Sequence, residues 1–140
     1  MKARKRNFMI GDYAFVKPSG MLIKIAAVHH KKVAYHAVTN KLTWVRESLL
    51  EPIPLVPEIL EKNGFVKVEH YYPYPTYEYK VESLKFVVRV AFPKDSKTTE
   101  RTKPFAEVDA EWCWYNNDCE FLHDLQQVMR LCRIKKEIIL

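Results

Sequence analysis

The stretch E-P-I-P-L-V-P-E-I-L-E-K-N-G-F, residues 51–65, decides how the rest of the chain is arranged. Pro52 and Pro54 have no backbone N–H to donate to a β-ladder and hold the chain extended, so the strand pattern that precedes them must stop here. The stretch therefore separates two β-rich regions. It predicts two domains, at residues 8–54 and 55–140, or a single domain in which the two have merged.

The second half of this stretch predicts a short helix. Proline suits the first turn of a helix, as at Pro57, and Glu58 places a negative charge at the positive end of the helix dipole. Asn63 and Gly64 form a C-terminal stop signal. The sequence therefore predicts a helix of about two turns that begins near Pro57.

Before this helix, polar turns separate short runs of apolar and β-branched residues. The runs lie at residues 13–15, 21–28, 33–38, 42–45 and 48–53. Five short strands of this kind commonly close into a small barrel, because closure removes exposed sheet edges. We therefore expect residues 8–54 to form a small β-barrel of the Src-homology-3 type.

After the helix, alternation of apolar and polar residues predicts a four-stranded antiparallel meander. Its strands are expected at residues 65–72, 76–81, 84–92 and 106–115. When the last two strands pair, an acidic row lies beside a basic one. The acidic row is Glu107, Asp109 and Glu111, and the basic residues are Lys85 and Arg89.

The end of the chain changes to helical periodicity. Asn117 is predicted to cap this helix, with Glu120 three residues later, as in a capping box. Apolar residues then recur at helical spacing, at Phe121, Leu122, Leu125, Val128, Met129 and Cys132. We expect this face to cover the apolar residues of the sheet, Val88, Val90, Val108 and Trp112, and residues 138–140 to add a short strand. The predicted class is α+β and β-rich.

Composition limits the classes of function. With 140 residues and 48% hydrophobic content, the chain is long enough to bury a core. No apolar run reaches the roughly 18 residues that cross a bilayer, and the basic residues 1–6 are not followed by a signal-peptide core. We therefore expect a cytoplasmic protein with no membrane partner. The net charge of +6 permits nucleic-acid contact through counterion release.

Two segments resemble a group of short uncharacterised proteins of Bacteroidetes and of the phages and mobile elements of those bacteria. The joint P-I-P-L-V-P-E-I-L-E-K-N-G-F is similar to their P-I-P-L-T-x-E-I-L-x-K-x-G-F segment, and H-D-L-Q-Q-V is similar to their H-x-L-Q-N-L helix. Ile10-Gly11-Asp12 also matches an I-G-N or I-G-D start. Val56 and Gln127 depart from the threonine and asparagine of the group. The resemblance implies a genomic context and no activity.

The residue types that could support metal binding or catalysis have simpler structural explanations. Cys113, Cys119, His123 and Cys132 are zinc-ligand types, but they lack the paired short spacing of a structural zinc site, so we expect neither a metal nor a disulfide framework. The three glycines form no phosphate-binding loop, and no nucleophile–histidine motif is recognisable. We therefore predict a non-enzymatic binding module without a cofactor.

The candidate nucleic-acid contacts form two groups. The basic group, expected to contact phosphates, is Lys24, His29, His30, Lys31, Lys32 and Lys41. The aromatic group, expected to stack on bases, is Tyr72, Tyr74 and Tyr77. In the alternative interpretation the basic turn is simply solvated and the tyrosine hairpin packs half-buried on its own sheet. The protein would then be a structural or protein-interaction factor that uses the aromatic hairpin or a strand edge.

Overall fold

The computed structural model describes residues 8–69, 72–81, 86–93, 103–110 and 113–140, with residues 110 and 113–115 described by their backbone alone. The chain divides into two compact units, Met1–Ile53 and Pro54–Leu140. Antiparallel sheets and two α-helices make up the described part of the chain. The predicted α+β, β-rich class is confirmed.

The first unit contains six short strands. They are β1 (Tyr13–Val16), β2 (Met21–Lys24), β3 (Ala27–His29), β4 (Lys32–His36), β5 (Leu42–Arg46) and β6 (Leu50–Glu51), with a 3-10 turn, Glu47–Leu49, before β6. The strands form two antiparallel sheets, in the orders β2-β1-β6 and β3-β4-β5. In the part of this unit that the structure describes, neither sheet is closed into a barrel.

The predicted strand at 21–28 is divided into β2 and β3 where the chain passes from one sheet to the other. The backbone of Ile25 pairs on the side of the first sheet, donating to the Asp12 carbonyl (2.9 Å) and accepting from the Gly11 N–H (2.7 Å). The N–H of Ala26 instead donates to Ala34 in the second sheet (2.8 Å). Residues of both sheets share one core, which contains Phe8, Ala14, Val16, Ile23, Ile25, Val33 and Leu50.

The second unit contains two helices and five strands. They are α1 (Pro57–Lys62), β7 (Val66–Val68), β8 (Thr76–Val81), β9 (Phe86–Ala91), β10 (Phe105–Ala110), β11 (Cys113–Asp118) and α2 (Leu122–Leu131). The strands form one antiparallel sheet in the order β11-β10-β9-β8-β7. The predicted single strand at 106–115 is in fact a hairpin, in which Ala110 lies opposite Cys113. Alternation of residue types continues from β10 into β11, so the sequence pattern did not reveal the division.

Helix α2 begins later than predicted. Asn117, the predicted cap, lies in β11, because that strand continues to Asp118. The first turn is capped instead by Asp124, whose carboxylate accepts a hydrogen bond from the Phe121 N–H at 3.0 Å.

The apolar face of α2 is buried, as are the central valines of the sheet. The buried helix residues are Leu122, Leu125, Val128 and Met129, and the buried sheet residues are Val88, Val90 and Val108. Phe121 and Cys132, which were expected to point at the sheet, are half-buried, and Trp112 lies outside the described residues. The packing of α2 on the sheet stays a prediction.

The segment after α2 is held by a side chain rather than by a strand, contrary to the prediction for residues 138–140. The Asn63 amide donates to the Ile139 carbonyl (2.8 Å) and accepts from the Ile139 N–H (2.7 Å). The same amide nitrogen donates to the Ile59 carbonyl (2.8 Å). Asn63 is 3% exposed, so this polar group is buried with its hydrogen bonds satisfied.

Candidate nucleic-acid interface

The turn between β3 and β4 carries four adjacent residues with basic side chains. His29, His30, Lys31 and Lys32 are all exposed. His30 has a φ of 55°, the left-handed region that tight two-residue hairpin turns use. The carbonyl of Lys31 accepts a hydrogen bond from the Glu47 N–H at 2.8 Å, which fixes the turn against the end of β5.

The register of the sheet adds Arg46 to this turn. Lys32 lies opposite His29 on one neighbouring strand and opposite Arg46 on the other. Residues that lie directly opposite in adjacent strands share a face and stand about 5 Å apart. Over the described chain, Lys31, Lys32 and Arg46 take part in no ion pair. Two permanent cations and a histidine therefore form an exposed row.

An exposed aromatic ring lies beside this row. Trp44 is 45% exposed and lies opposite Ala34, which is fully buried. The rings of His29 and Trp44 approach edge to face with centroids 6.5 Å apart. We call the surface formed by His29, His30, Lys31, Lys32, Trp44 and Arg46 the Trp44 face. It combines a partly exposed indole with cations.

Two of the predicted basic residues lie elsewhere in the first unit. Lys41 is in the turn at the far end of β4 and β5, where His36 lies opposite Leu42. At about 3.4 Å per residue, five-residue strands separate it from the Lys32 end by roughly 14 Å or more. Lys24 is on β2 in the other sheet, with its ammonium group 5.8 Å from the centre of the Tyr13 ring. Neither belongs to the Trp44 face.

Tyr72 and Tyr74 belong to the second unit and pack on its sheet. Their rings are stacked with centroids 5.1 Å apart, and both meet the ring of Phe105 edge to face, at 5.7 Å and 6.1 Å. The Tyr72 hydroxyl donates to a carboxylate oxygen of Glu107 at 3.1 Å. Both tyrosines are half-buried, the arrangement expected of a hairpin that covers its own sheet.

Tyr77 is more deeply buried than Tyr72 and Tyr74. It is 6% exposed, and its ring meets that of Phe92 edge to face at 5.9 Å. Burial raises the pKa of Tyr77 above its ordinary value, and the charge of Glu61, a hydrogen bond to the Glu61 carboxylate and the charge of Glu58 raise it further. A buried ring with a hydroxyl bonded to α1 is a packing element, and its face is not open for stacking.

The acidic row of β10 surrounds Arg89, as the sequence predicts. Arg89 Nε donates to Glu78 at 3.0 Å, and Nη1 lies 3.4 Å from carboxylate oxygens of both Glu107 and Asp109. The Glu107 side chain is 4% exposed, so the arginine compensates a charge that is almost out of contact with water. Lys85 and Glu111, the other members of the predicted rows, lie outside the described residues. These contacts give the described carboxylates a structural role.

The candidate metal ligands differ in how deeply they are buried. Cys119 and His123 are buried and Cys132 is half-buried, while the side chain of Cys113 lies outside the described residues. The His123 ring stacks on Phe121 with centroids 5.8 Å apart. Within the described ranges, no group of three His, Cys, Asp or Glu side chains is placed to hold a metal ion.

No helix among the described residues is long and apolar enough to cross a membrane.

A second surface of the first unit is apolar. A groove of about 650 Å³ lies beside β2 and the end of β4. Its lining includes four exposed large apolar side chains, Ile10, Met21, Leu22 and Val38. Among the described strands, β2 pairs with β1 alone, so its other edge is unpaired there.

Sequence reasoning missed two members of the Trp44 face, Trp44 and Arg46. The signal was present, because residues two apart in a strand share a face and Trp44 and Arg46 are separated by Val45. The predicted strand ended at Val45, which left Arg46 in a loop. Placing both residues beside Lys32 requires the register between β4 and β5.

In comparisons with known proteins, no family model matches the chain, and neither a curated protein nor a solved structure matches it. The residues of the Trp44 face and their geometry are therefore the basis for a function.

Proposed function

We propose that the first unit is a non-enzymatic module that binds single-stranded nucleic acid through the Trp44 face. One observation carries the proposal: the exposed indole of Trp44 lies on the same sheet face as Lys32 and Arg46, neither of which is in an ion pair within the described chain. Stacking of a base on an aromatic ring contributes about 1–3 kcal/mol, and each cation that neutralises a phosphate releases a condensed counterion.

A single strand fits this surface better than a duplex. Bases in a duplex present only their edges, so an indole that lies on a sheet face has no base plane to stack on. In an unpaired strand each base has an open face, and its phosphate can turn toward the row His29, Lys32 and Arg46. Stacking of this kind does not depend on which base is present, so we expect little sequence preference.

The strand order of the first unit supports a finer proposal about its fold. We propose an arrangement of the Src-homology-3 type, in which β1 lies between β2 and β6 while β3, β4 and β5 form the second layer over the shared core. The 3-10 turn Glu47–Leu49 just before β6 is in keeping with it. In such a fold the Trp44 face is the outer surface of the second sheet. The exposed ring then cannot be needed for the core.

Fluorescence anisotropy with a labelled oligothymidylate at low salt tests the function. We expect the full chain to bind with a dissociation constant below about 0.1 mM, the weak limit of ordinary non-specific binding. Trp44→Ala should weaken binding at least about fivefold, because it removes a stacking contribution of about 1–3 kcal/mol. Arg46→Ala should also weaken it.

The matched controls lie on the same strands. Leu42→Ala removes another exposed apolar residue of β5, and Lys41→Ala removes a cation at the far end of the sheet. Both variants should bind like the parent. The proposal is wrong if the parent does not bind, or if the two controls weaken binding as much as Trp44→Ala and Arg46→Ala do.

The groove beside β2 supports a second candidate, a protein-interaction factor. Exposed apolar side chains next to a strand edge are typical of surfaces that accept an extended segment of a partner. Affinity capture from a host lysate with and without nuclease separates the two candidates. Retention of one protein after nuclease treatment, together with no oligonucleotide binding, would favour the groove.

A further inference from the structure

The turn that ends α2 places an arginine where glycine is preferred. Arg133 N–H donates to the Arg130 carbonyl (3.0 Å), and Ile134 N–H donates to the Met129 carbonyl (2.8 Å), which together form a Schellman motif. Arg133 has a φ of 57°. Side chains with a β-carbon adopt this left-handed conformation at a cost, which glycine avoids.

Helix α1 provides the comparison within the same unit. It ends in the same pair of hydrogen bonds, from Gly64 N–H to the Glu61 carbonyl (3.2 Å) and from Phe65 N–H to the Leu60 carbonyl (3.0 Å). There the left-handed position is occupied by glycine, with a φ of 86°. The turn after α2 therefore does not need an arginine for its geometry.

The segment that follows Arg133 is fixed at both ends. Ile134 and Ile138 are 5% and 2% exposed, and Ile139 is held by two hydrogen bonds to the Asn63 side chain. Lys135 and Lys136 lie between these anchors. Their backbone is thus ordered before any ligand arrives, which lowers the entropy cost of binding.

Three cations line one cavity at this place. The cavity, of about 460 Å³, is bounded by Tyr79, Val81 and residues 133–137. In the part of the chain that the structure describes, Arg133, Lys135 and Lys136 form no ion pair. Among the described residues that line the cavity, Glu137 supplies one carboxylate, so their formal charge is +2 (three cations less one anion).

The helix dipole explains only part of this cluster. The negative C-terminal end of a helix favours cations in its last turn, where Arg130 lies, and the effect falls off within that turn. Lys135 and Lys136 lie beyond α2 yet line the same cavity as Arg133. The helix dipole therefore does not explain why these two lysines line the cavity together with Arg133.

The Tyr79 ring indicates which ligand fits. Phe65 packs against it with centroids 5.3 Å apart, and the Lys136 ammonium group lies 5.3 Å from its centre. Two side chains are thus already packed against this ring, one of them a cation of the cavity. The cavity therefore offers positive charge and N–H donors more than it offers a stacking surface.

We propose that the cavity of Arg133, Lys135 and Lys136 is a binding site for phosphate groups, either those of free polyphosphate or those of a nucleic-acid backbone. Arg133 supplies the planar donor fork that matches phosphate oxygens, and the two lysines supply charge. The cavity belongs to the second unit, and the proposal does not rest on the function proposed for the Trp44 face.

Titration of the full chain with tripolyphosphate, followed by the amide NMR shifts of residues 133–137, tests the site. We expect saturable shifts in the parent, and an affinity at least about fivefold lower in Arg133→Gly and in Lys136→Ala. Arg133→Gly should also keep or raise the melting temperature, because glycine relieves the left-handed position. Lys67→Ala, an exposed cation of β7 outside the cavity, should match the parent.

A second titration, with a single-stranded oligonucleotide and the Trp44→Ala variant, separates the two sources of phosphate. Shifts at residues 133–137 with both ligands assign the site to the phosphate group in general, and shifts with tripolyphosphate alone assign it to free polyphosphate. Shifts with the oligonucleotide alone assign it to the phosphates of a nucleic-acid backbone. The proposal is overturned if neither ligand produces saturable shifts, or if Arg133→Gly binds as the parent does. A lower melting temperature of Arg133→Gly would contradict the argument that the turn does not need arginine.

Discussion

Tyr77 joins α1 to the sheet through a single side chain. Its ring packs against Phe92, and its hydroxyl hydrogen-bonds to the Glu61 carboxylate on the helix. Burial and the two nearby carboxylates favour the neutral hydroxyl, so the pKa of Tyr77 is higher in the folded chain than in the unfolded one.

This shift gives the stability of the second unit a dependence on alkaline pH. A raised folded pKa means that the contribution is complete below the unfolded pKa of about 10 and is lost as pH rises through the folded pKa. We expect the free energy of unfolding in urea to fall more steeply above about pH 10 in the parent than in Tyr77→Phe. At pH 8 the variant should be less stable by about 0.5–1.5 kcal/mol, the net contribution of one hydrogen bond. Parallel pH curves for the two proteins would contradict this account.

At the scale of single elements, α2 offers two leucines in very different surroundings. Leu125 is fully buried, whereas Leu131 is 69% exposed. Leu125→Ala should lower the free energy of unfolding by about 2–5 kcal/mol, as a large-to-small change in a core. Leu131→Ala makes the same chemical change at the surface and should cost within about 0.5 kcal/mol.

Urea melts of the two variants measure this difference. Leu131 is a better control than Gln126, which the sequence would place on the flank of the helix but which is 7% exposed. Equal and small losses for both leucine variants would mean that α2 does not cover an apolar surface, and the packing of α2 on the sheet would have to be abandoned.

The elements that local chemistry specifies were predicted well, and those that depend on pairing were not. Pro57 and Asn63-Gly64 mark the ends of α1 because φ preference and the C-terminal motif act within a few residues. By contrast, the division between β10 and β11 and the break after β2 arise from partner strands. Alternation along one strand contains no information about which strand lies beside it.

The same distinction holds for the candidate site. The exposed basic turn at residues 29–32 could be predicted, because charged residues between two strands seldom lie in a core. Trp44 could not be assigned to it from the sequence, since an isolated tryptophan in a strand is usually packed inside. Its exposure follows from the register that places it opposite Ala34 and away from the core residues of the first unit.

At the scale of the whole molecule, positive charge should determine how binding of nucleic acid depends on salt concentration. The chain has a net charge of +6, and the Trp44 face contributes Lys31, Lys32 and Arg46. Three phosphate contacts predict a slope of log K against log salt of about −2 for a single strand. Oligothymidylate binding should therefore weaken roughly tenfold to twentyfold between about 50 and 200 mM salt.

Single substitutions refine this expectation. Arg46→Ala should reduce the slope by about 0.7, and Trp44→Ala should weaken binding while leaving the slope unchanged, because stacking releases no counterions. Anisotropy titrations at four salt concentrations distinguish the two behaviours. A slope near zero in the parent would show that the cations of the Trp44 face do not contact phosphates.

The Asn63 amide has a consequence for how the second unit opens. In a sheet, the backbone of a terminal segment is hydrogen-bonded to a neighbouring strand. Here the Asn63 side chain hydrogen-bonds the N–H and the carbonyl of Ile139, and it also bonds the Ile59 carbonyl. The last residues of the chain cannot detach without disturbing the end of α1. The amide hydrogens of Ile139 and of the last turn of α1 are therefore expected to exchange with solvent through one shared opening event, as a cooperative unit formed from segments 76 residues apart.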